Sequence, residues 1–245
     1  MESSDARAAA ERFTTALADQ PLDVALAEIL ASTLITAFDP IDPILDALVR
    51  GRTTEAAGLL SAIAAVADPH SAIAARGAVE LLESSGIASP PWSSVTGTAL
   101  PDEARLVDYR NGAALAVRWR HGDGTTHIMF NVVEDKRIVE VRFTEGDLFE
   151  VIEQAPRLSH FTQTDVALDV VGEFLGPTLD EPIRGDGRTW HNAPLARIRY
   201  AALGATEPAH FLAPTSADRD DYTLAAMGVD LLTDDRRTSW SGPLW

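Results

Sequence analysis

Apolar and polar residues alternate through most of the stretch from Ala104 to Phe143, a pattern that predicts β-strands. Asp123-Gly124 favours a two-residue type I′ turn and therefore a hairpin. The cross-strand pairs predicted by this turn are Trp119–Ile128, Val117–Phe130 and Leu115–Val132. All six side chains are apolar, so we expect them to share one face of the sheet.

A second tight turn at Asp135-Lys136 extends this sheet. It places Val139, Val141 and Phe143 opposite Val132, Phe130 and Ile128. Nine apolar side chains then form one face, which other elements must cover. A further strand, Arg105–Tyr109, joins through the Asn111-Gly112 turn. Its register stays open, because either Leu106 with Asp108 or Val107 with Tyr109 can face the core.

The first ninety residues have helical periodicity, with regular breaks. The predicted helices are Asp5–Ala18, Leu22–Ala37, Pro43–Arg50, Thr53–Ala67 and Pro69–Ser84. Asp42-Pro43 and Asp68-Pro69 are typical of an N-cap followed by proline, and Gly51 and Gly86 are typical of C-terminal caps. Short connections predict an antiparallel stack, HEAT-like in outline but without a fixed repeat.

Helices are also predicted after the sheet. They cover Asp147–Gln154, Thr162–Leu175, Leu195–Leu203 and Asp218–Leu232, with a capping box at Thr162–Asp165 and a stop at Gly176-Pro177. The sequence therefore predicts an α+β fold: an N-terminal antiparallel helical stack, a four-stranded antiparallel meander, and C-terminal helices packed on the sheet. The predicted division is 1–90 and 91–245, or one continuous domain.

The chain carries 37 acidic and 20 basic residues, a net charge of −17. Residues 1–103 and 146–245 carry net charges of −10 and −8, whereas residues 104–145 carry +1. This acidity disfavours general nucleic-acid binding. Cysteine is absent, no signal peptide is recognised and no apolar run is long enough to span a membrane, so we expect a cytoplasmic protein.

The second face of the predicted sheet is polar and is the candidate binding surface. Its predicted binding residues are Arg118, Arg120, His127, Asn131, Glu140 and Arg142. The register pairs Arg120 with His127 and Asn131 with Glu140, so guanidinium and imidazole groups converge as they do around a carboxylate or phosphate. The alternative interpretation is a solvated face with cross-strand ion pairs.

No catalytic residue, metal site or cofactor is predicted. The six histidines are scattered, and His121 and His127 are expected to point to opposite faces or to the sheet edge. Nucleophile and phosphate-binding motifs are lacking. The acidic stripe Asp165, Asp169 and Glu173 is interpreted as a solvated helix face. Arg184–Trp190 is interpreted as a surface loop, with a mobile lid as the alternative.

Several segments carry a resemblance. GIASPPW at Gly86–Trp92, THIMFNVVED and EVRF, within residues 50–155, resemble a group of actinobacterial proteins with no assigned activity. Separately, EDKRIVEVRF resembles the closing strands of NTF2-like, SnoaL-type domains. That resemblance implies a cone-shaped pocket for a small apolar molecule.

The pattern favours a non-enzymatic interaction or regulatory protein. Its contact surfaces would be the polar sheet face and the C-terminal segment RRTSWSGPLW, its partner an unidentified protein or a second copy in a homo-oligomer. The alternative is a small-molecule-binding protein or enzyme with a pocket between the sheet and the C-terminal helices, where His127 acts as acid or base beside Arg120. A third hypothesis is an acidic mimic of nucleic acid.

Overall fold

The computed structural model describes residues 3–18, 20–109, 112–145, 162–185, 187–204 and 209–213. Backbone contacts divide these residues into two compact units, unit 1 up to Thr98 and unit 2 from Ala99 onward. Each unit has an apolar core of its own. Within the described ranges, no helix combines the length and apolar character that crossing a membrane requires.

Unit 1 is helical, and its predicted elements are confirmed. Its α-helices are α1 (Ser3–Leu17), α2 (Val24–Ala37), α3 (Asp42–Gly51), α4 (Thr54–Val66) and α5 (Pro69–Ser84), followed by a 3-10 helix over Pro91–Val95. Helix α4 lies against α2 and α5, and α1 lies against α3. Apolar periodicity and caps act locally, so they place these helices well.

The caps of α5 are as predicted. The Asp68 carboxylate accepts hydrogen bonds from the backbone N–H groups of His70 and Ser71 at 2.9 and 3.2 Å. Its interaction with Ser71 is the main cause that holds the pKa of Asp68 below its usual value. After the helix, Gly86 adopts a φ of +84°, the left-handed conformation that glycine takes without steric cost.

The ends of α3 differ from prediction by one residue each. Asp42 is the first helical residue and not the cap, and Ile41 before it makes no side-chain cap bond. At the other end Gly51 is still helical, and Arg52 adopts the left-handed conformation with a φ of +52°. The left-handed residue that ends the helix is therefore Arg52, one position after the glycine that would adopt this conformation more easily.

A buried carboxylate fastens the end of unit 1. Glu28 of α2 is fully buried, and its Oε1 accepts the backbone N–H of Gly97 at 2.6 Å. Gly97 has a φ of +75°, a conformation that favours glycine. This bond fixes the segment after the 3-10 helix against α2.

Unit 2 contains an antiparallel sheet and two helices. The strands are β1 (Leu100–Tyr109), β2 (Gly112–Arg120), β3 (Thr126–Glu134), β4 (Arg137–Glu145) and β5 (Thr162–Asp165), in the spatial order β4-β3-β2-β1-β5. The helices are α6 (Leu168–Leu179) and α7 (Gly187–Ala202). The predicted four-stranded meander and the C-terminal helices on the sheet are confirmed, with β5 as an additional edge strand.

The register predicted for the first hairpin is wrong by one residue. His121 N–H donates to the Thr125 carbonyl and Gly124 N–H to the His121 carbonyl, so the loop has three residues. Among its residues only Gly124 has a positive φ, whereas a type I′ turn requires two. Trp119 therefore pairs with His127, and Val117 pairs with Met129.

The second hairpin has the predicted turn. Asp135 and Lys136 both have positive φ, and Glu134 pairs with Arg137. A β-bulge then shifts the register, because Val133 pairs with Ile138 but Val132 pairs with Glu140.

Both faces of the sheet carry buried apolar side chains. Because side chains alternate between the two faces of a strand, the nine apolar side chains predicted to share one face fall into two groups. The prediction of a single apolar face is therefore wrong. One group packs on the helices; we call this side the helix face, and it includes Leu115, Val117, Trp119, Val141 and Phe143. The other group forms the opposite face and includes Ile128, Phe130, Val132 and Val139. On β1, Leu106 pairs with Leu115 and packs with the helix-face cluster, whereas Val107 packs with the opposite one, so the alternative that turns Leu106 towards the helices has the observed register.

The segment after the sheet departs most from prediction. Thr162–Asp165 is not a capping box but β5, because its backbone pairs with the edge of β1. Helix α6 starts at Leu168 and continues through Gly176-Pro177 to Leu179. Gly187–Trp190, predicted as part of a loop, is the first turn of α7. The predicted helices Asp147–Gln154 and Asp218–Leu232 and the segment RRTSWSGPLW lie outside the described residues.

Candidate functional site

The predicted binding residues lie on two faces. Arg118 and Arg120 alternate with the helix-face residues of β2 and therefore lie on the opposite face. Glu140 and Arg142 lie on this face as well, because they pair with Val132 and Phe130. His127 and Asn131 lie on the helix face and are fully buried. The predicted pairs Arg120–His127 and Asn131–Glu140 are therefore wrong, because each register slip of one residue reverses every side chain.

The arginines of the opposite face are paired with carboxylates. Asp102 Oδ2 lies 2.7 Å from Nη2 of Arg118 and 2.7 Å from Nη2 of Arg120. Hydrogen bonding with Arg120 is the main cause that lowers the pKa of Asp102, and it raises the pKa of Arg120. Glu103 adds a second carboxylate, 2.9 Å from Arg118 Nη2. These contacts neutralise the positive charge of the two guanidinium groups that were predicted to bind an anion.

Two further arginines of this face are matched in the same way. Arg142 donates to Glu140. Arg105 lies 3.2 Å from both Gln163 Oε1 and Asp165 Oδ1 on β5. The predicted ion-paired interpretation of this face is thus the one that the geometry supports.

A buried polar cluster lies between the helix face and α7. It consists of Trp119, His121, His127, Phe143 and Arg199, which we call the histidine–arginine cluster. The hairpin loop is one residue longer than predicted, and the pleat of the strands then places His121 and His127 on the same side of the sheet. The expectation that the two histidines point apart is therefore wrong. Their side chains are 2% and 0% exposed.

Three side chains form a chain of nitrogen contacts through this cluster. Arg199 Nε donates to His127 Nε2 at 3.3 Å. His127 Nδ1 lies 3.3 Å from His121 Nε2. Since the guanidinium only donates, His127 Nε2 must accept, and the neutral ring carries its proton on Nδ1. Nδ1 of His127 is then the nitrogen that carries the proton towards His121.

Burial and charge keep His127 neutral. Loss of solvent is the main cause that lowers its pKa well below the usual value, and Arg199 and His121 add to it. Aromatic rings enclose the cluster: Phe143 meets His127 edge-on at 5.6 Å, and the Arg199 guanidinium lies 5.0 Å from the Trp119 ring centroid. Glu145 lies directly across from His127 on β4.

A second polar contact fixes the next residue of α7. Tyr200 is buried, and its hydroxyl donates to Asn131 Oδ1 at 2.6 Å. Asn131 Nδ2 in turn donates to the Leu115 carbonyl at 3.3 Å. Burial raises the pKa of Tyr200, so the phenol stays protonated and remains a donor. Arg199 and Tyr200 together tie α7 to the sheet.

We expect Tyr200→Phe to lower the free energy of unfolding by about 1 kcal/mol, because one buried hydrogen bond is lost while Asn131 keeps its bond to Leu115. Urea unfolding measures the change, and a double-mutant cycle with Asn131→Ala isolates the pair. Strict additivity of the two substitutions would contradict the contact.

Sequence reasoning did not identify Arg199, Tyr200 or Trp119 as members of this site. Arg199 and His127 are 72 residues apart in the chain, and no local pattern joins them. One signal was present: two arginines and a tyrosine stand within the apolar helix segment LARIRY. Charged groups on a helix that packs against a sheet need buried partners.

The comparisons with known proteins add no relatives. No family model matches this chain, and no curated protein and no solved structure is significantly similar to it. The two resemblances drawn from the sequence therefore stay predictions, and the function is inferred from the residues of the site.

Proposed function

We propose that unit 2 binds a small molecule carrying a hydrogen-bond acceptor, such as a carboxylate, at the histidine–arginine cluster. The observation that supports this is the indole N–H of Trp119. The side chain is fully buried, and Nε1 has no hydrogen-bond partner among the described residues. Leaving such a donor unsatisfied costs about 1–3 kcal/mol. An oxygen of a bound ligand would satisfy it.

The positive charge of the site also favours a ligand with a carboxylate or a similar acceptor group. Arg199 carries a permanent positive charge over the indole ring, and His127 beside it is held neutral. In a buried environment a cation attracts an anionic group more strongly than it does in water. An acceptor group that is also negatively charged therefore fits this position best.

This proposal follows the alternative hypothesis drawn from the sequence, with different partners. His127 lies between the sheet and a C-terminal helix, as that hypothesis requires, but beside Arg199 and not beside Arg120. The favoured interaction hypothesis depended on an arginine-rich surface, whose cations are paired with carboxylates. The geometry therefore favours the ligand-binding role.

Native mass spectrometry of the protein purified from its own host tests the proposal. We expect a fraction of the protein to carry an additional small mass, lost on denaturation. Trp119→Phe keeps the aromatic ring but removes the N–H, so it should weaken the affinity at least about tenfold, as expected for a lost hydrogen bond to a charged group, and the occupied fraction should fall. Trp92→Phe in unit 1 is the matched control and should leave occupancy unchanged. A wild-type protein that carries only its polypeptide mass would overturn the proposal.

A second candidate is the interaction or regulatory role favoured by the sequence. The Asp102 carboxylate holds Arg118 and Arg120 in fixed positions, and Arg120 is 48% exposed. Arginine is frequent at the energetic centres of protein interfaces, and preordering lowers the entropic cost of binding. A companion protein in the same spectra, lost in Arg120→Ala but retained in Arg50→Ala, would support this role.

A further inference from the structure

Helix α5 of unit 1 presents an apolar stripe to solvent. Ile73 and Leu81 are 64% and 54% exposed, which is unusual for side chains of this size in a helix that also buries an inner face. Gly77 stands midway between them, and a Cβ built there meets no atom within 4 Å.

The stripe points directly away from the core. The inner face of α5 buries Ala72, Ala75 and Leu82, and the helix contacts α3 and α4. At about 100° per residue, Gly77 lies opposite this inner face, with Ile73 and Leu81 on either side of it. The outermost point of the helix is thus the position without a side chain.

We propose that α5 is a self-association surface on which two copies of this chain pack antiparallel, crossing at Gly77. The spacing is symmetric about this residue, since Ile73 and Leu81 each lie four positions away. A two-fold axis through the crossing point therefore brings Ile73 of one copy beside Leu81 of the other, and the reverse contact follows automatically. The missing side chain at Gly77 lets the two helix backbones approach closely.

Charge supports a second copy as the occupant. Arg76 and Glu80 lie on one edge of the stripe, and both are exposed. The two-fold axis keeps this edge on the same side in both copies, so Arg76 of one copy lies near Glu80 of the other. Ala74 and Ala78 line the other edge and offer no steric obstacle. Each copy thus supplies both the cation and the anion that the other requires.

The pairing is expected to be weak. A helix of 16 residues is about 24 Å long, so one helix pair gives an interface at the small end of specific complexes. We expect dissociation in the micromolar range, about 1–100 μM. The self-association concerns unit 1 and is independent of the ligand proposed for unit 2.

Sedimentation velocity of the full chain over about 1–200 μM, a range that brackets this affinity, tests the proposal. The wild type should shift from a monomer of 26.3 kDa towards a dimer as concentration rises. Gly77→Glu and Gly77→Lys each place two like charges on the two-fold axis and should weaken the dimer at least about tenfold. Both residues favour helix over glycine, so neither variant should lose stability.

The decisive sample is an equimolar mixture of the two variants. Glutamate from one copy then faces lysine from the other, so the dimer should recover, as a heterodimer. Ala8→Glu, an equal charge change at an exposed position of α1, is the control and should leave the dimer intact.

Three results would overturn the proposal: a wild type that stays monomeric throughout, a dimer that Gly77→Glu does not weaken, or a mixture that fails to recover it. None of these changes the mass of a small molecule bound in unit 2. Failure of this inference is therefore distinguishable from failure of the proposed function.

Discussion

Gly58→Ala is expected to lower the free energy of unfolding by about 1–3 kcal/mol, the cost of overpacking. Alanine normally stabilises a helix interior by about 0.5–1 kcal/mol relative to glycine. Here, however, the new Cβ in α4 would lie 2.5 Å from Cη2 of Trp92 and 2.7 Å from Cγ of Pro90. An indole and a proline ring are rigid, so the backbone of α4 or of the 3-10 helix must move. Urea unfolding followed by circular dichroism measures the effect.

Two variants make this prediction specific. Gly77→Ala in α5 adds the same methyl group in open space and should raise stability by about 0.5–1 kcal/mol. In a Trp92→Ala background one of the two obstacles is gone while Pro90 Cγ remains, so the stability lost through Gly58→Ala should become smaller. If Gly58→Ala stabilises the wild type as Gly77→Ala does, the contact between Trp92 and α4 is absent.

Unfolding should also become easier as the pH falls from 7.5 to 5.5, with roughly 1 kcal/mol of the lost stability due to His127. In the unfolded chain an imidazole binds a proton near pH 6.5. In the folded protein, burial together with Arg199 and His121 depresses the pKa of His127 well below that value. Between these two pKa values only the unfolded state is protonated, so acid favours unfolding. Above pH 7.5 the contribution is complete and constant.

His127→Gln tests the assignment. The Gln carbonyl can still accept from Arg199, but it does not titrate, so the pH dependence between 7.5 and 5.5 should flatten by roughly 1 kcal/mol. Tyr200→Phe removes no group that titrates in this range, so it should leave the slope unchanged. An unaltered slope in His127→Gln would mean that this imidazole binds its proton equally well in the folded and the unfolded protein, which would contradict the assignment.

The register of the first hairpin explains why the residues of the predicted binding surface lie on two different faces of the sheet. Trp119 and Val141 lie on the helix face, whereas Phe130 lies on the opposite one. Asp123-Gly124 is compatible with loops of two or three residues, and Gly124 takes a positive φ in both. The apolar pattern could not decide between them, because β3 has buried side chains on both faces. Alternation fixes a register only where one face is polar.

The prediction of a helix-opening capping box at Thr162–Asp165 is wrong for a different reason. These residues do match a capping box, but β1 offered an unpaired edge, and backbone hydrogen bonds along that edge decided the outcome. A local preference of about 1 kcal/mol is readily exceeded by the pairing of a strand.

The sequence by itself determined the helices of unit 1, the strands of the meander and the turn at Asp135-Lys136. These depend on contacts within a few residues, where periodicity, caps and turn conformations act. Tertiary structure decided which face each strand residue occupies and which groups meet at His127. A shift of a single residue exchanges the two faces, and Arg199 reaches His127 only after α7 packs on the sheet. Such contacts arise from packing the whole unit, and no short stretch of sequence encodes them.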